Sequence, residues 1–256
     1  MSGHSKWANI KRHKAKMDAV RSNIISKALR EIMLAARHGG GNPEANLRLK
    51  VAIERAREAN VAMDSINRAI KRGTGELEAG SLEEVTYEGY GPGGTAVLVE
   101  AATDNRNRTT SDLRYIFSKH GGKLGEVGSV AWMFQQRGYI SLEKTGLSED
   151  EALSLAVDAG AIDFKVEKEC FEVYTEPADL LKVKESLEKA GAKVTTAEVT
   201  MVPQTTVFLT GEDAQRMLKL MDALEEHDDV SRVYVNFDIP EEEMEKSVLE
   251  NTKSDE

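Results

Sequence analysis

The first 21 residues of the 256-residue chain carry the side chains best suited to binding an anion. Six of them are Lys or Arg, two are His, one is Trp, and Asp18 is the single acid. Lys and Arg neutralise phosphates and release counterions, which gives an affinity that depends strongly on salt and little on base sequence. An indole ring can stack on a base, and a histidine adds charge at lower pH. The predicted nucleic-acid-binding residues of this segment are His4, Lys6, Trp7, Lys11, Arg12, His13, Lys14, Lys16 and Arg21.

A second polar group lies at residues 103–110, where a predicted strand gives way to a predicted helix. Asp104 or Asn105 can cap that helix. Arg106 and Arg108 would then stand at its N-terminus, a position that favours phosphate, and both are predicted nucleic-acid-binding residues. The alternative is that both arginines form ion pairs with nearby acids. The sequence leaves these two interpretations open.

Charge is unevenly distributed along the chain, whose formal net charge is −10. Residues 1–72 hold 16 Lys and Arg against 6 Asp and Glu, a net charge of +10, whereas residues 73–256 hold 18 against 38, a net charge of −20. Such an asymmetry indicates a polyanionic partner at one end of the chain. The acidic remainder would repel phosphate backbones, which confines the predicted binding to one face. The alternative is that the basic segment is a solvated tail, with Trp7 packed on the helices that follow.

The remaining motifs do not predict catalysis. Gly89, Gly91 and Gly94 have the spacing of a dinucleotide-binding loop, but a predicted strand rather than a helix follows them, so a hairpin loop is expected. The five histidines are scattered and Cys170 is the one cysteine, so neither a metal site nor a disulfide is expected. The acids within residues 225–229 are interpreted as a solvated turn. We therefore expect no catalytic residue, cofactor or metal, although an interdomain cleft could still hold a ligand.

The predicted location is the cytoplasm. No apolar run approaches the ~18 residues of a membrane span, and the N-terminal region lacks the apolar core of a signal peptide. A single cysteine is typical of a reducing compartment. We expect no membrane association; the sequence leaves the oligomeric state open, with a monomer favoured.

Apolar periodicity predicts three helices in the N-terminal region. The first begins near residue 18 and ends at the glycines 39–41. Asn42 and Pro43 are the predicted N-cap and first residue of a second helix that reaches about residue 60. Asp64 is the predicted cap of a short third helix. Three helices joined by short links make a small helical domain.

After a Gly-rich, acidic linker at residues 73–84 the hydrophobic period becomes two, which predicts strands. Residues 137–203 show a complete βαββαβ order, that of a ferredoxin-like domain. An incomplete βαβ unit lies on each side of it, and we expect the two to join into a second such domain. Three consecutive domains are the alternative. The elements of the two incomplete units are strand 95–103, helix 106–120 and strand 129–134 before the insertion, then strand 206–209, helix 213–224 and strand 230–237 after it.

The predicted fold class is α+β, with an N-terminal three-helix domain and two ferredoxin-like βαββαβ-type domains, one inserted in the other. Residues 241–256 are polar and acidic, which is typical of a frayed terminus. The predicted boundaries are 1–80 for the basic helical domain, 81–135 together with 204–240 for the discontinuous domain, 136–203 for the inserted domain and 241–256 for an acidic tail.

Four motifs resemble the YebC family of bacterial proteins and their mitochondrial translational-activator relatives. They are GHSKWANIK at 3–11, EGYGPGG at 88–94, TDNRNRT at 103–109 and GSVAWMF at 128–134, in that order over nearly the whole chain. The resemblance implies three domains, the helical one first and one of the others inserted in its neighbour, and a non-enzymatic cytoplasmic protein. Two local departures are Arg12-His13, where relatives mostly have His-Arg, and Leu47, where many have a turn proline.

The favoured interpretation is a DNA-binding regulator of transcription. Its contacts would be to the backbone, because no C₂H₂ zinc spacing and no obvious recognition helix is present in the sequence. The alternative, implied by the resemblance, is a ribosome-associated translation factor that relieves stalls at proline-rich stretches. The same basic segment would then contact ribosomal RNA, with Trp7 or His4 stacked on an unpaired base. An enzyme is the third and least supported interpretation.

Overall fold

The computed structural model describes residues 18–77, 82–240 and 242–243, with side chains from residue 24 onward. The chain has the predicted α+β class: helices come first and antiparallel sheets follow. No helix within the described residues is long and apolar enough to cross a membrane. The helices are α1 (Asp18–Gly39), α2 (Leu47–Glu58), α3 (Met63–Gly73), α4 (Arg106–Lys119), α5 (Glu149–Ala159), α6 (Leu180–Lys189) and α7 (Gly211–Glu226). The strands are β1 (Glu83–Tyr90), β2 (Ala96–Thr103), β3 (Lys123–Leu124), β4 (Phe134–Glu143), β5 (Asp163–Val166), β6 (Cys170–Thr175), β7 (Val194–Pro203), β8 (Val207–Phe208), β9 (Val230–Val235) and β10 (Phe237–Asp238).

Helices α1, α2 and α3 share a hydrophobic core of their own, and we call them the helical domain. Ile32 of α1, Leu49 of α2 and Ile66 of α3 are fully buried in it. The apolar residues recur every three or four positions, which places them on one face of each helix. The predicted three-helix arrangement is therefore confirmed.

Helix α2 begins four residues later than predicted. Asn46, not Asn42, is the N-cap, and its side-chain oxygen accepts a hydrogen bond from the N–H of Leu49 at 3.1 Å. The amide nitrogen of Asn46 also donates to the carbonyls of Ala35 at 2.7 Å and Gly40 at 2.9 Å, so this buried side chain joins the end of α1 to the start of α2. Helix α3, in contrast, begins earlier than predicted, at Met63 rather than after Asp64.

The first sheet has the strand order β3-β1-β2-β9, and all its pairs are antiparallel. Helices α4 and α7 cover one face, where Phe117 and Met217 share a core with Val97 and Val233. Strand β9 follows the second sheet in sequence but pairs with β2. The chain therefore leaves the first sheet after β3 and returns to it at β9.

The second sheet has the strand order β5-β6-β4-β7, which is the ferredoxin-like arrangement predicted for residues 137–203. Helices α5 and α6 cover one face, with Ala152 and Val183 packed against Ile140 and Val173. The strands alternate between this core and the opposite face, as the period of two requires. The domain boundaries given above stay predictions.

Residues 129–134 do not form the predicted buried strand. Glu88 is 5% exposed, and its carboxylate accepts the N–H groups of Val130 and Ala131 in this segment and of Gly128 just before it. These bonds bend the segment into a loop and leave Trp132 67% exposed. Burial acts to raise the pKa of Glu88, but the three hydrogen bonds outweigh burial and lower that pKa. The donors are Gly128 at 2.6 Å, Val130 at 2.7 Å and Ala131 at 2.7 Å.

The third strand of the first sheet also differs from the prediction. Residues 206–209 contribute only β8, which pairs with β10 in a short parallel ladder outside the sheet. Strand β1 takes the expected position instead, between β2 and the edge strand β3. It pairs with β2 over its whole length, and a hairpin between neighbouring strands closes a much shorter loop than a pairing with residues 206–209 would.

Candidate nucleic-acid interface

Most of the predicted binding residues lie outside the described part of the chain. Arg21 belongs to α1, but its side chain is not described. For these residues the nucleic-acid contacts stay a prediction. The residues outside the described part are His4, Lys6, Trp7, Lys11, Arg12, His13, Lys14 and Lys16.

Arg106 and Arg108 lie at the N-terminus of α4, where the sequence predicts them. Asn105 is the N-cap of this helix, and its side chain accepts the N–H of Arg108 at 3.1 Å. The guanidinium of Arg108 bonds to Asp104 at 2.9 Å and Asp229 at 2.8 Å. Arg106 is exposed and forms no ion pair with another described residue. The ion-pair alternative thus describes Arg108, and a phosphate contact by either arginine stays a prediction.

Asp229 is the centre of this network and is only 3% exposed. Its carboxylate accepts hydrogen bonds from Arg108, from Thr109 at 2.7 Å and from Arg30 of α1 at 2.9 Å. Burial acts to raise the pKa of Asp229, but the bonds from Arg108 and Thr109 and the positive charges outweigh it, so the pKa is lowered. The interpretation of residues 225–229 as a solvated turn is therefore wrong for Asp229.

A charged cleft of about 450 Å³ opens beside Asp229, between α1, the start of α4 and the end of α7. Carboxylates outnumber arginines among the side chains that line it, so it does not favour phosphate. Among the described residues no group of three or more His, Cys, Asp or Glu is arranged to hold a metal ion. The lining residues are Arg30, Asp104, Arg108, Asp112, Glu226, His227, Asp228 and Asp229.

Basic side chains of the helical domain hold this domain against the rest of the structure. We call that rest, the two sheets with the helices that cover them, the α+β region. Arg48 of α2 bonds to Glu84 of β1 and, at 2.9 Å, to Glu31 of α1. Arg55, seven residues further along the same flank of α2, bonds to Glu198 of β7 at 2.5 Å. Other contacts of this kind include those from Arg30 to Asp229, from Arg37 to the carbonyl of Leu82 and from Lys27 to the carbonyl of Glu225.

This docking removes cations from the surface available to a polyanion. Residues 18–77 contain 11 Lys and Arg and 7 Asp and Glu, and at least five of the cations bond to the α+β region. The rest of the domain therefore has no excess of positive charge. Residues 1–17, in contrast, contain five Lys and Arg and no acid. The positive excess of the N-terminal region thus resides in that segment.

Comparison with known proteins gives the family. The family model described as TACO1/YebC protein N-terminal domain matches residues 5–76, and that described as TACO1/YebC second and third domain matches residues 82–237. The chain belongs to the YebC family. Both parts of this YebC-family chain, the helical domain and the α+β region, are thus represented in the family.

Relatives cover nearly the whole YebC-family chain. A "probable transcriptional regulatory protein" from Pelotomaculum thermopropionicum is 58% identical over 241 residues, which are 93% of this chain and 99% of that protein. One of the same name from Carboxydothermus hydrogenoformans is 57% identical over 242 residues, which are 93% of this chain and 99% of that protein. The crystal structure of a conserved hypothetical protein from Aquifex aeolicus matches with a TM-score of 0.79 and 51% identity, over 89% of this chain and 94% of that one.

Sequence reasoning did not find the docking role of Arg30, Arg48 and Arg55. Spacing gives part of the signal, because Arg48 and Arg55 are seven residues apart and so share one flank of a helix. Their partners are not visible in the sequence: Arg55 and Glu198 are separated by 143 residues, and Arg30 and Asp229 by 199.

Proposed function

We propose that this YebC-family protein binds the phosphate backbone of DNA through residues 1–21 and acts as a regulator of transcription. Relatives that share more than half of their residues with it are named probable transcriptional regulatory proteins, and the proposal extends that role to this chain. It includes a cytoplasmic location and no catalytic step.

The charge balance of the N-terminal region is the observation that supports this proposal. The docked arginines of the helical domain already have carboxylate or carbonyl partners, so they are not free to neutralise phosphates. Five Lys and Arg in residues 1–17 have no acid in their own segment to balance them. A polyanion is attracted to such a polybasic segment and repelled by acidic surface, so this segment is the favoured place for it to bind.

Contacts of this type position the protein but do not read base sequence. Ribosomal RNA presents the same phosphate charge, so the translation alternative uses the same residues and must be separated by experiment. The relatives' names favour DNA. The test below therefore includes both nucleic acids.

The test measures the affinity for a 30-base-pair DNA duplex and for a ribosomal RNA stem-loop of the same charge between 50 and 300 mM salt. The variant Lys11→Ala/Arg12→Ala/Lys14→Ala should bind DNA at least about tenfold more weakly and reduce the salt slope by about 2 to 3, because each lost phosphate contact removes about 0.9 from the slope. The control, Lys182→Ala/Lys184→Ala/Lys189→Ala on α6, removes the same charge from the α+β region and should leave both values within error.

Two results would contradict the proposal. One is a wild-type affinity for DNA that barely depends on salt, since phosphate neutralisation requires a steep dependence. The other is tight binding to the RNA with no comparable binding to the duplex, which would support the ribosomal alternative instead.

A further inference from the structure

A cluster of basic side chains lies at the C-terminal end of α4, within the acidic part of the chain. Residues 73–256 have a net charge of −20, so a group of neighbouring cations there departs from the surrounding surface. Two of its members belong to α7, and the other two are the last residue of α4 and the residue after it. We call it the α4–α7 cluster; its members are Lys119, His120, Arg216 and Lys219.

Packing brings the two parts of the α4–α7 cluster together. Helices α4 and α7 lie on the same face of the first sheet and share one hydrophobic core. The side chain of Arg216 passes the turn after α4, where a methyl group added to Gly121 would lie 3.8 Å from its Cδ. Lys219 is three residues after Arg216 and so faces the same side of α7.

The electrostatics of His120 show that these cations are close. Its pKa is lowered, first by burial and then by the positive charges of Lys119 and Lys219. A cation from each helix therefore acts on the same imidazole. His120 contributes little charge of its own at neutral pH, so the lysines and Arg216 provide the positive potential of the cluster.

The cations of the α4–α7 cluster are available to a ligand. Lys119 and Lys219 are exposed and form no ion pair with a described residue. Arg216 bonds to Glu212 one turn earlier, but both side chains are more than half exposed, and such a pair contributes little energy. The carboxylates of the cluster's surroundings thus do not neutralise it.

An aromatic ring adjoins the cluster. Tyr115 of α4 is 65% exposed, and the ammonium of Lys119 lies 5.9 Å from the centre of its ring. The hydroxyl of a tyrosine beside such cations can donate a hydrogen bond to a phosphate oxygen. A purely structural role, in which basic residues complement the negative end of a helix dipole, applies to Lys119 and His120. It does not apply to Lys219, which is in the middle of α7.

We propose that the α4–α7 cluster is a second binding surface for the phosphate backbone of the nucleic acid that residues 1–21 bind. This inference rests on the proposed function. The cluster is at the opposite end of α4 from Arg108, about 16 Å away at 1.5 Å per residue. Arg108 and Arg30 share Asp229, so α4 is held against α1. A 30-base-pair duplex, about 100 Å long at about 3.4 Å per base pair, is long enough to reach from the helical domain to the cluster.

The test measures the salt dependence of binding to the 30-base-pair duplex for Lys119→Ala/Lys219→Ala. The expected result is a salt slope reduced by about 2 and a several-fold loss of affinity that is equal for duplexes of different sequence, because backbone contacts carry no sequence information. The control Lys182→Ala/Lys189→Ala removes two exposed lysines from α6, and Lys119→Arg/Lys219→Arg keeps the charge. Both should bind as the wild type does.

The outcomes separate this inference from the proposed function. If the wild type binds with a steep salt slope and Lys119→Ala/Lys219→Ala has that same slope, the cluster is not a binding surface, and the proposed function stands. If the wild type does not bind nucleic acid, the proposed function fails and this inference fails with it. Circular dichroism and thermal unfolding of the variant show that a changed slope does not reflect a loss of fold.

Discussion

Asp229 joins three parts of the molecule at the level of a single side chain. It accepts hydrogen bonds from Arg30 of α1 and from Arg108 and Thr109 of α4, while it belongs to the turn before β9. Without such donors, burial would raise the pKa of this carboxylate, because burial disfavours the charged form. The arginines keep Asp229 ionised, and Asp229 in turn holds the helical domain in place.

We predict that Asp229→Asn lowers the free energy of unfolding by about 2 kcal/mol at pH 7, because two charge-assisted hydrogen bonds lose their ionised acceptor. Urea denaturation measures this change. The control Asp228→Asn alters an exposed neighbour and should cost less than about 0.5 kcal/mol. Equal costs for the two variants would show that Asp229 does not hold the domains together.

The stability difference between the wild type and Asp229→Asn should depend on pH in a defined direction. Since the folded-state pKa of Asp229 is lowered, its stabilising effect is present above the unfolded-state pKa, about 3.9, and is lost as the pH falls through the lower folded-state value. The stability difference between the wild type and Asp229→Asn should therefore shrink as the pH falls below about 4.

Single residues show where sequence reasoning succeeds and where it stops. The cap of α4 was predictable as Asp104 or Asn105, because capping depends on neighbouring residues, and Asn105 is the cap. The environment of Asp229 was not predictable, because Arg108 is 121 residues away in sequence and Arg30 is 199 away. Local pattern shows a polar turn there, and only the fold brings the arginines to it.

At the scale of elements, the position of α2 depends on one buried amide. Asn46 caps α2 and donates to two carbonyls at the end of α1, so it fixes the angle at which the chain turns between them. The helical periodicity of residues 47–58 is clear in the sequence, but the starting residue is not, because Asn42 and Asn46 are both suitable caps. The structure selects Asn46 because it alone is buried against α1.

We predict that Asn46→Ala lowers the free energy of unfolding by about 2 kcal/mol, since it removes the cap and leaves the buried carbonyl of Ala35 and the half-buried carbonyl of Gly40 without this donor. Thermal and urea unfolding measure this. The matched control is Asn42→Ala, whose exposed side chain accepts one hydrogen bond, from the N–H of Glu44 at 3.1 Å, and it should cost less than about 1 kcal/mol. A larger cost for Asn42→Ala would contradict the assignment of the cap.

Hydrophobic periodicity identified the helices and strands that bury one face. It did not identify segments whose conformation depends on tertiary contacts. The βαββαβ order of the second sheet was predictable because each of its strands and helices carries its own apolar pattern. Residues 129–134 are apolar enough to suggest a strand, yet the buried carboxylate of Glu88, some 40 residues earlier, takes up their N–H groups. A buried acceptor of that kind cannot be inferred from the apolar segment itself.

At the scale of the whole molecule, the positive charge is divided between the contacts that hold the helical domain in place and the segment that is proposed to bind DNA. The helical domain meets the α+β region through arginines on one side and carboxylates on the other, and this uses much of its positive charge. The excess is left in residues 1–17, with the α4–α7 cluster as a second cationic surface on the acidic part. Under the proposed function, this division lets a protein with a net charge of −10 bind a polyanion.

The sequence predicted the sign and place of the N-terminal charge but not how the helical domain uses its share. Lys and Arg counts cannot distinguish an arginine that is docked on Glu198, as Arg55 is, from one that faces solvent. Only the tertiary structure makes that distinction. Because several arginines of the helical domain are docked, the candidate interface narrows from residues 1–72 to the basic segment at the start of this range.

The measurement that tests the central claim most directly is crosslinking of the protein to nucleic acid in living cells, followed by sequencing of what is recovered. The wild type should recover DNA, and Lys11→Ala/Arg12→Ala/Lys14→Ala should recover at most about a tenth as much at equal protein level, because its phosphate contacts are lost. Recovery of ribosomal RNA in place of DNA, or equal recovery of DNA by both proteins, would contradict the account.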